Sequence, residues 1–146
     1  MFLGQYQHSL DEKGRLTIPA AYRAQLGEGS YITQGFDRCL MVMTNTYFQS
    51  VMERLNAMNI TDPATRLLKR LVLSTAYQVE MDKAGRILLP PKPRQFLALQ
   101  DEASLVGQGE YFEIWTPADW ALQIENLQDA EANAQRFAML DLSTNK

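Results

Sequence analysis

The sequence has a single cysteine, Cys39, and a single histidine, His8. One thiol excludes intrachain disulfides, and the pair is too few for the usual Cys/His zinc sites. Carboxylate-only Mg²⁺ or Ca²⁺ sites stay open. No apolar run approaches the ~20 residues needed to span a bilayer, and Met1-Phe2-Leu3-Gly4-Gln5-Tyr6 lacks the basic and long apolar stretches of a secretory signal. A cytoplasmic protein without membrane contact is expected. Positive charge is also scarce: 14 Lys and Arg face 17 Asp and Glu, a net charge of −3. That excludes a globally basic nucleic-acid coat and confines any DNA binding to a local patch. What is there, 146 residues with 46% hydrophobic and 21% charged, suits one compact domain or two small ones.

An internal repeat organises the chain. The segment from Gln7 to Arg23 recurs 71 positions later as Gln78 to Arg94, with identities at Gln7/Gln78, Asp11/Asp82, Gly14/Gly85, Arg15/Arg86, Pro19/Pro90 and Arg23/Arg94. Leu10/Met81, Leu16/Ile87 and Ile18/Leu89 keep their apolar character. After a one-residue slip, Gly35 matches Gly107, the run from Leu40 to Thr44 matches Phe112 to Thr116, and Phe48 matches Trp120. Such self-similarity marks a supersecondary unit that needs its copy to complete a core.

Within a unit, Tyr6 to Leu10 and Leu16 to Ile18 read as strands of a hairpin around Glu12-Lys13-Gly14, with glycine where a left-handed backbone is needed. Pro19 opens a short helix from Ala20 to Leu26 that Gly27 ends. Tyr31 to Thr33 and Cys39 to Met43 flank Gly35-Phe36-Asp37 as a second hairpin. The unit reads β-β-α-β-β. Thr46 with Gln49 resembles a capping box before a helix from Tyr47 to Asn56, and Thr116-Pro117 opens another from Ala118 to about Leu127. Between the halves, Asp62-Pro63 starts a helix with an apolar stripe of Leu67, Leu68, Leu71 and Val72; Arg66, Lys69 and Arg70 read as its wet face. The stretch 128–146 is mostly polar and reads as a peripheral helix fraying into a tail.

The repeated Asp11-x-x-Gly14-Arg15 and Asp82-x-x-Gly85-Arg86 are the candidate functional motif. Asp11 and Asp82 shape tight turns by accepting turn N–H groups, and Gly14 and Gly85 supply the backbone geometry. Arg15 and Arg86 have two readings: pairing with the aspartates inside the turn, or presenting their donors to phosphate and to guanine O6 and N7. Lys13 and Lys83 stand beside them, and Arg23 and Arg94 lie on the short helices as candidate braces. An enzyme using Asp11 and Asp82 as paired carboxylates is the weakest reading, because no nucleophile or metal cluster accompanies them. The aromatics fall at strand and helix positions that point to core packing.

Phe2-x-Gly4, then Asp11-x-Lys13-Gly14-Arg15-Leu16-x-x-Pro19-x-x-Tyr22-Arg23-x-x-Leu26, and later Asp82-x-x-Gly85-Arg86-Ile87-x-x-Pro90 with Val106-Gly107-Gln108, closely resemble the MraZ family of bacterial transcriptional regulators. The resemblance implies an α+β, β-rich fold of tandem AbrB-like units, each a swapped-hairpin β-barrel, with accessory helices. On that basis 1–60 and 76–127 are the units, 61–75 a linking helix and 128–146 a tail. It further implies a non-enzymatic, cytoplasmic and nucleoid-associated repressor of the division and cell wall gene cluster, without a cofactor. Its partners would be double-stranded promoter DNA carrying direct repeats and its own copies, in an octameric or dodecameric ring. Arg15 and Arg86 would then contact DNA, assisted by Lys13 and Lys83, with Asp11, Gly14, Asp82 and Gly85 shaping the loops. The second copy departs from the pattern at Pro93, which replaces Tyr22 and is expected to shorten or tilt the second short helix. An antitoxin-like protein-interaction module is the alternative; it calls for an apolar tail, whereas this tail is mostly polar.

Overall fold

A computed structural model describes residues 1–27 and 29–143. The first half contributes β1 (Gln5–Ser9), β2 (Arg15–Thr17), α1 (Ala20–Leu26), β3 (Gly29–Gln34), β4 (Leu40–Thr44) and α2 (Asn45–Ala57). The linking helix α3 (Pro63–Leu73) leads into β5 (Tyr77–Glu80), β6 (Arg86–Leu88), α4 (Pro91–Leu97), β7 (Glu102–Gly107), β8 (Tyr111–Trp115), α5 (Pro117–Leu127) and α6 (Ala130–Arg136). The chain is α+β with antiparallel pairing, and helices hold more residues than strands, so β-rich describes the core rather than the content.

Local chemistry sets the helix ends. The Asp62 and Thr116 side chains accept the N–H groups of Ala64 and Asp119, and proline occupies the first helical position after each. For α2 the cap is Thr44 rather than the expected Thr46: its hydroxyl accepts from Tyr47 N at 3.1 Å, so the helix starts before the predicted capping box. The helix α4 is as long as α1, which corrects the expected shortening. Pro93 lies in its first turn, where backbone N–H groups have no intrahelical acceptor and none is lost.

The strand partners depart most from expectation. A six-stranded sheet runs in the order β1-β7-β8-β4-β3-β5, and β2 pairs with β6 in a separate two-stranded ladder. The second hairpins form as read, β3 with β4 and β7 with β8. The first do not. β1 touches β2 only through the single Leu10–Leu16 bridge and pairs with β7 of the other half, from Gln5 opposite Val106 to Ser9 opposite Glu102. β5 likewise crosses to β3, and β2 and β6 pair with each other. Among the described residues no ladder closes the sheet into a barrel.

The reason is burial. Leu16, Ile18, Ile87 and Leu89 are fully buried with Ile32, Leu40, Leu105, Phe112 and Ile114 in one core drawn from both halves. A fully buried aliphatic side chain contributes ~1.5–3 kcal/mol, against roughly 1 kcal/mol net for a backbone hydrogen bond, so the pairing that hides these residues outweighs a longer local hairpin. The strand order reads the same from either end once halves are exchanged, giving the molecule an internal pseudo-twofold between β4 and β8. The halves differ outside it. Helix α2 buries Phe48 and Leu55, Phe48 in a cluster that also takes in Leu73 of α3, whereas α5 and α6 have no fully buried residue.

Since β1 finds its ladder only in the second half, residues 1–71 expressed alone are expected to be unfolded as a monomer and to gain β structure only on dimerising. Circular dichroism with sedimentation across a concentration series checks this; a folded monomer at low concentration would refute it.

Candidate nucleic-acid interface

Both Asp-x-x-Gly-Arg segments form the same tight turn. Asp11 Oδ1 accepts the N–H groups of Lys13 at 3.0 Å and Arg15 at 2.9 Å, while Gly14 N donates to Asp11 O at 3.0 Å. Asp82 Oδ1 accepts from Ala84 and Arg86, each at 2.9 Å, and Gly85 N donates to Asp82 O at 3.1 Å. Gly14 and Gly85 have φ of 85° and 79°, the left-handed region that disfavours a side chain. The aspartates and glycines thus hold the backbone of the two loops.

The arginines pair with the turn aspartates. Arg15 Nε donates to Asp11 Oδ2 at 2.6 Å, and Arg86 Nε donates to Asp82 Oδ2 at 3.0 Å. Arg86 also places Nη2 3.0 Å from Asp82 Oδ2 and Nη1 3.9 Å from Asp11 Oδ2, so it bridges the two turns. The pairing does not hide them: the side chains of Arg15 and Arg86 keep 36% and 32% of their surface exposed. For Arg15 the carboxylate takes the Nε edge and leaves the two terminal amino groups for a ligand. An orientation fixed beforehand lowers the entropy lost when a ligand is bound.

The turns lie side by side. Gly85 O accepts from Ile18 N at 2.9 Å, Gly14 O accepts from Leu89 N at 2.8 Å, and Leu16 faces Ile87 between them. Lys13 and Lys83 are exposed beside the arginines but not at equivalent places, because the 71-residue offset sets Lys13 against Ala84 and Lys83 against Glu12. The guanidinium of Arg94 stands against Gly14 and that of Arg23 against Gly85. Six cations, Lys13, Arg15, Arg23, Lys83, Arg86 and Arg94, therefore gather around Asp11, Glu12 and Asp82, with Glu80 and Asp101 at the margin of the neighbouring grooves. An acidic chain carries a locally basic patch.

These features find their match among known proteins. The sequence pattern of the family described as "MraZ protein, putative antitoxin-like" matches residues 1–71 and again 72–142. The chain belongs to the MraZ family. It is 43% identical over 141 residues to the "Transcriptional regulator MraZ" of Thermomicrobium roseum, covering 96% of this chain and 99% of that one. It is 42% identical over 139 residues to its namesake in Roseiflexus castenholzii, covering 94% of each chain, and 43% over 129 residues to that of Nitrosomonas europaea, covering 86% and 87%. A transcriptional regulator is thus the class to which this MraZ chain is assigned.

The remaining sequence candidates lie elsewhere. Arg66 Nη1 donates to Ile60 O and Thr61 O at 3.0 and 3.1 Å, tying the start of α3, so that arginine serves the local backbone. Among the described residues no group of three or more His, Cys, Asp or Glu could hold a metal, and no helix is long and apolar enough to cross a membrane. Tyr22 and Phe112 are packed in the core, while Phe36 is exposed away from the turns on the β3–β4 connection. The reach of Arg23 and Arg94 onto the opposite half was not readable from spacing, because the sequence does not state which half supplies each turn's neighbour.

Both turn carboxyls titrate below their ordinary value of 3.8: the N–H of the turn arginine holds the charged form first, desolvation opposes it, and the arginine's guanidinium adds to the lowering. A depressed folded value means that the turns gain stability above pH 3.8 and lose it as pH falls below that value. NMR titration of the Asp11 carboxyl is expected to give a midpoint below 3.8 that rises in Arg15→Ala. A wild-type midpoint at or above 3.8 would refute the turn's hydrogen bonding.

Proposed function

We propose that this chain is a sequence-specific DNA-binding regulator without enzymatic activity, and that the paired Asp-x-x-Gly-Arg turns are its reading head. The observation that carries the reading is the juxtaposition of Arg15 and Arg86 on two turns held side by side, partly exposed and oriented by carboxylates. A guanidinium in that setting suits the O6 and N7 acceptors of guanine in the major groove, and Lys13 and Lys83 suit flanking phosphates. Its targets are direct repeats in the promoter of the bacterial division and cell wall genes, where it acts as a repressor, cytoplasmic and nucleoid-associated.

The net charge of −3 calls for avidity. Several weak basic patches held in one homo-oligomeric ring, octameric or dodecameric, engage repeated sites together and gain roughly 10²–10⁴ in apparent affinity without a basic surface overall. The exchange of hairpin partners between halves is also what a swapped-hairpin barrel of AbrB type requires, and we carry that architecture, with units at 1–60 and 76–127, a linker at 61–75 and a tail at 128–146, as part of the proposal. Residues 144–146 of that tail lie outside the described residues.

One observation favours a second reading, an antitoxin-like module that buries a protein partner. The tail is less uniformly polar than its composition implies: Phe137, Met139, Leu140 and Leu142 are exposed after α6. If that reading held, removing residues 137–146 would abolish capture of the partner and leave DNA binding intact.

Arg15→Ala is expected to abolish preference for a promoter duplex over a scrambled one while leaving oligomer size unchanged. Affinity of the wild type should fall steeply as salt rises, because phosphate neutralisation releases counterions. Mobility shifts across a salt series with light scattering on both proteins decide this. Affinity indifferent to salt, or loss of the oligomer in the variant, would overturn the assignment.

A further inference from the structure

Each turn is gripped from two sides by the half to which it does not belong. One side is main chain: Ile18 N donates to Gly85 O, and Leu89 N to Gly14 O. The other side is a side chain. Arg23, on α1, donates its Nε to Ile18 O at 2.8 Å, and Arg94, on α4, donates its Nε to Leu89 O at 3.1 Å. Those bonds set each guanidinium against the opposite glycine. A methyl group on Gly85 would fall 2.5 Å from Arg23 Nε and 2.6 Å from its Cζ; one on Gly14 would fall 2.7 Å from both Nε and Cζ of Arg94. Positive φ alone would admit asparagine or aspartate, but any side chain there would have to displace the seated guanidinium from its carbonyl anchor.

We propose that Arg23 and Arg94 are positioning residues that reach across the pseudo-twofold and hold the two turns at a fixed separation, so that Arg15 and Arg86 meet DNA as one rigid unit. This inference rests on the DNA-binding reading above. Contacts to two base edges at once demand a fixed spacing between the groups that make them, and that spacing is most securely set before binding. Main-chain bonds alone leave each glycine free to tilt; a guanidinium anchored at Ile18 or Leu89 blocks that movement from the open side. The same anchoring makes each turn depend on the opposite half, which explains why Arg23 and Arg94 recur with the turns.

Two measurements on the full chain test it. In thermal unfolding, Arg23→Met and Gly85→Ala are expected to be non-additive, the pair melting no lower than the worse single variant, while Arg94→Met and Gly85→Ala should add. Additivity in the first pair would overturn the contact. In DNA binding, a duplex from upstream of the chain's own coding sequence is compared with a scrambled duplex of equal composition. The Arg23→Met, Arg94→Met chain should lose at least tenfold in preference, over and above the weakening on both duplexes that follows from removing two cations of the patch. Unchanged preference overturns the proposal. So does uniform weakening on both duplexes with the salt slope reduced by about one per arginine, which would make these residues phosphate ligands instead. Should the double variant fail to fold, Arg94→Lys keeps the charge without the Nε anchor; it should still lose preference, and retained preference would overturn the proposal. A wild type with no preference sinks the DNA reading itself, and the melting cycle then still decides the cross-half contact.

Discussion

Leu16 and Ile87, both fully buried, face each other where β2 and β6 meet, and the six-residue spine they centre belongs to neither half alone. Every other feature of the site depends on that contact. It brings Gly14 within reach of Leu89 and Gly85 within reach of Ile18, and so sets two turns that are 71 residues apart in sequence beside one another. It also frees β1 and β5 from their own turns, leaving them to extend the sheet on the far side of the other half. A hydrophobic contact with no polar atom in it therefore determines where two charged groups stand.

Electrostatics then work within narrow limits. An aspartate that accepts two turn N–H groups makes a rigid loop, but its charge partly offsets the arginine beside it. Exposed ion pairs of this kind are worth little to stability and are weakened by salt. Their value lies in orientation. Arg15 spends one edge on Asp11 and keeps the other, whereas Arg86 spends two nitrogens on Asp82 and leans a third toward Asp11. The surplus of positive charge comes from the lysines and from the two helix arginines, which lack carboxylate partners among the described ion pairs.

What could be read from the sequence follows the range of the interactions involved. Turn shape at Asp11 and Asp82, the caps at Asp62 and Thr116 and the hairpin around Gly35 are decided within a few residues, and each was legible. Strand partners were not: Tyr6 to Leu10 reads as a strand without saying which strand it lies against, and the repeat makes the local partner and the distant one look alike. Thr44 and Thr46 differ by two places and both can cap, so residue type and spacing do not choose between them. Pro93 was misread because its effect depends on the turn of the helix it occupies rather than on its presence. The bracing role of Arg23 and Arg94 was visible as a position on a helix, but the surface they brace belongs to the other half.

The departures from symmetry carry the last step. A reader with two equivalent faces would treat the two directions of a duplex alike and suit palindromic sites. Here one turn presents Glu12-Lys13 and the other Lys83-Ala84, so cationic charge falls at different points of two otherwise matched loops. Arg86 touches two carboxylates where Arg15 touches one. Outside the pseudo-twofold, Leu73 of α3 joins the cluster that holds Phe48 of α2, while α5 rests on the second half through a half-buried Trp120, so copies of the chain have two unlike ends to offer one another. Unlike ends join head to tail, and head-to-tail contacts repeat in one direction. A fused pair of units that has lost strict equivalence is under no twofold constraint to prefer inverted sites, which is compatible with the direct-repeat targets proposed above.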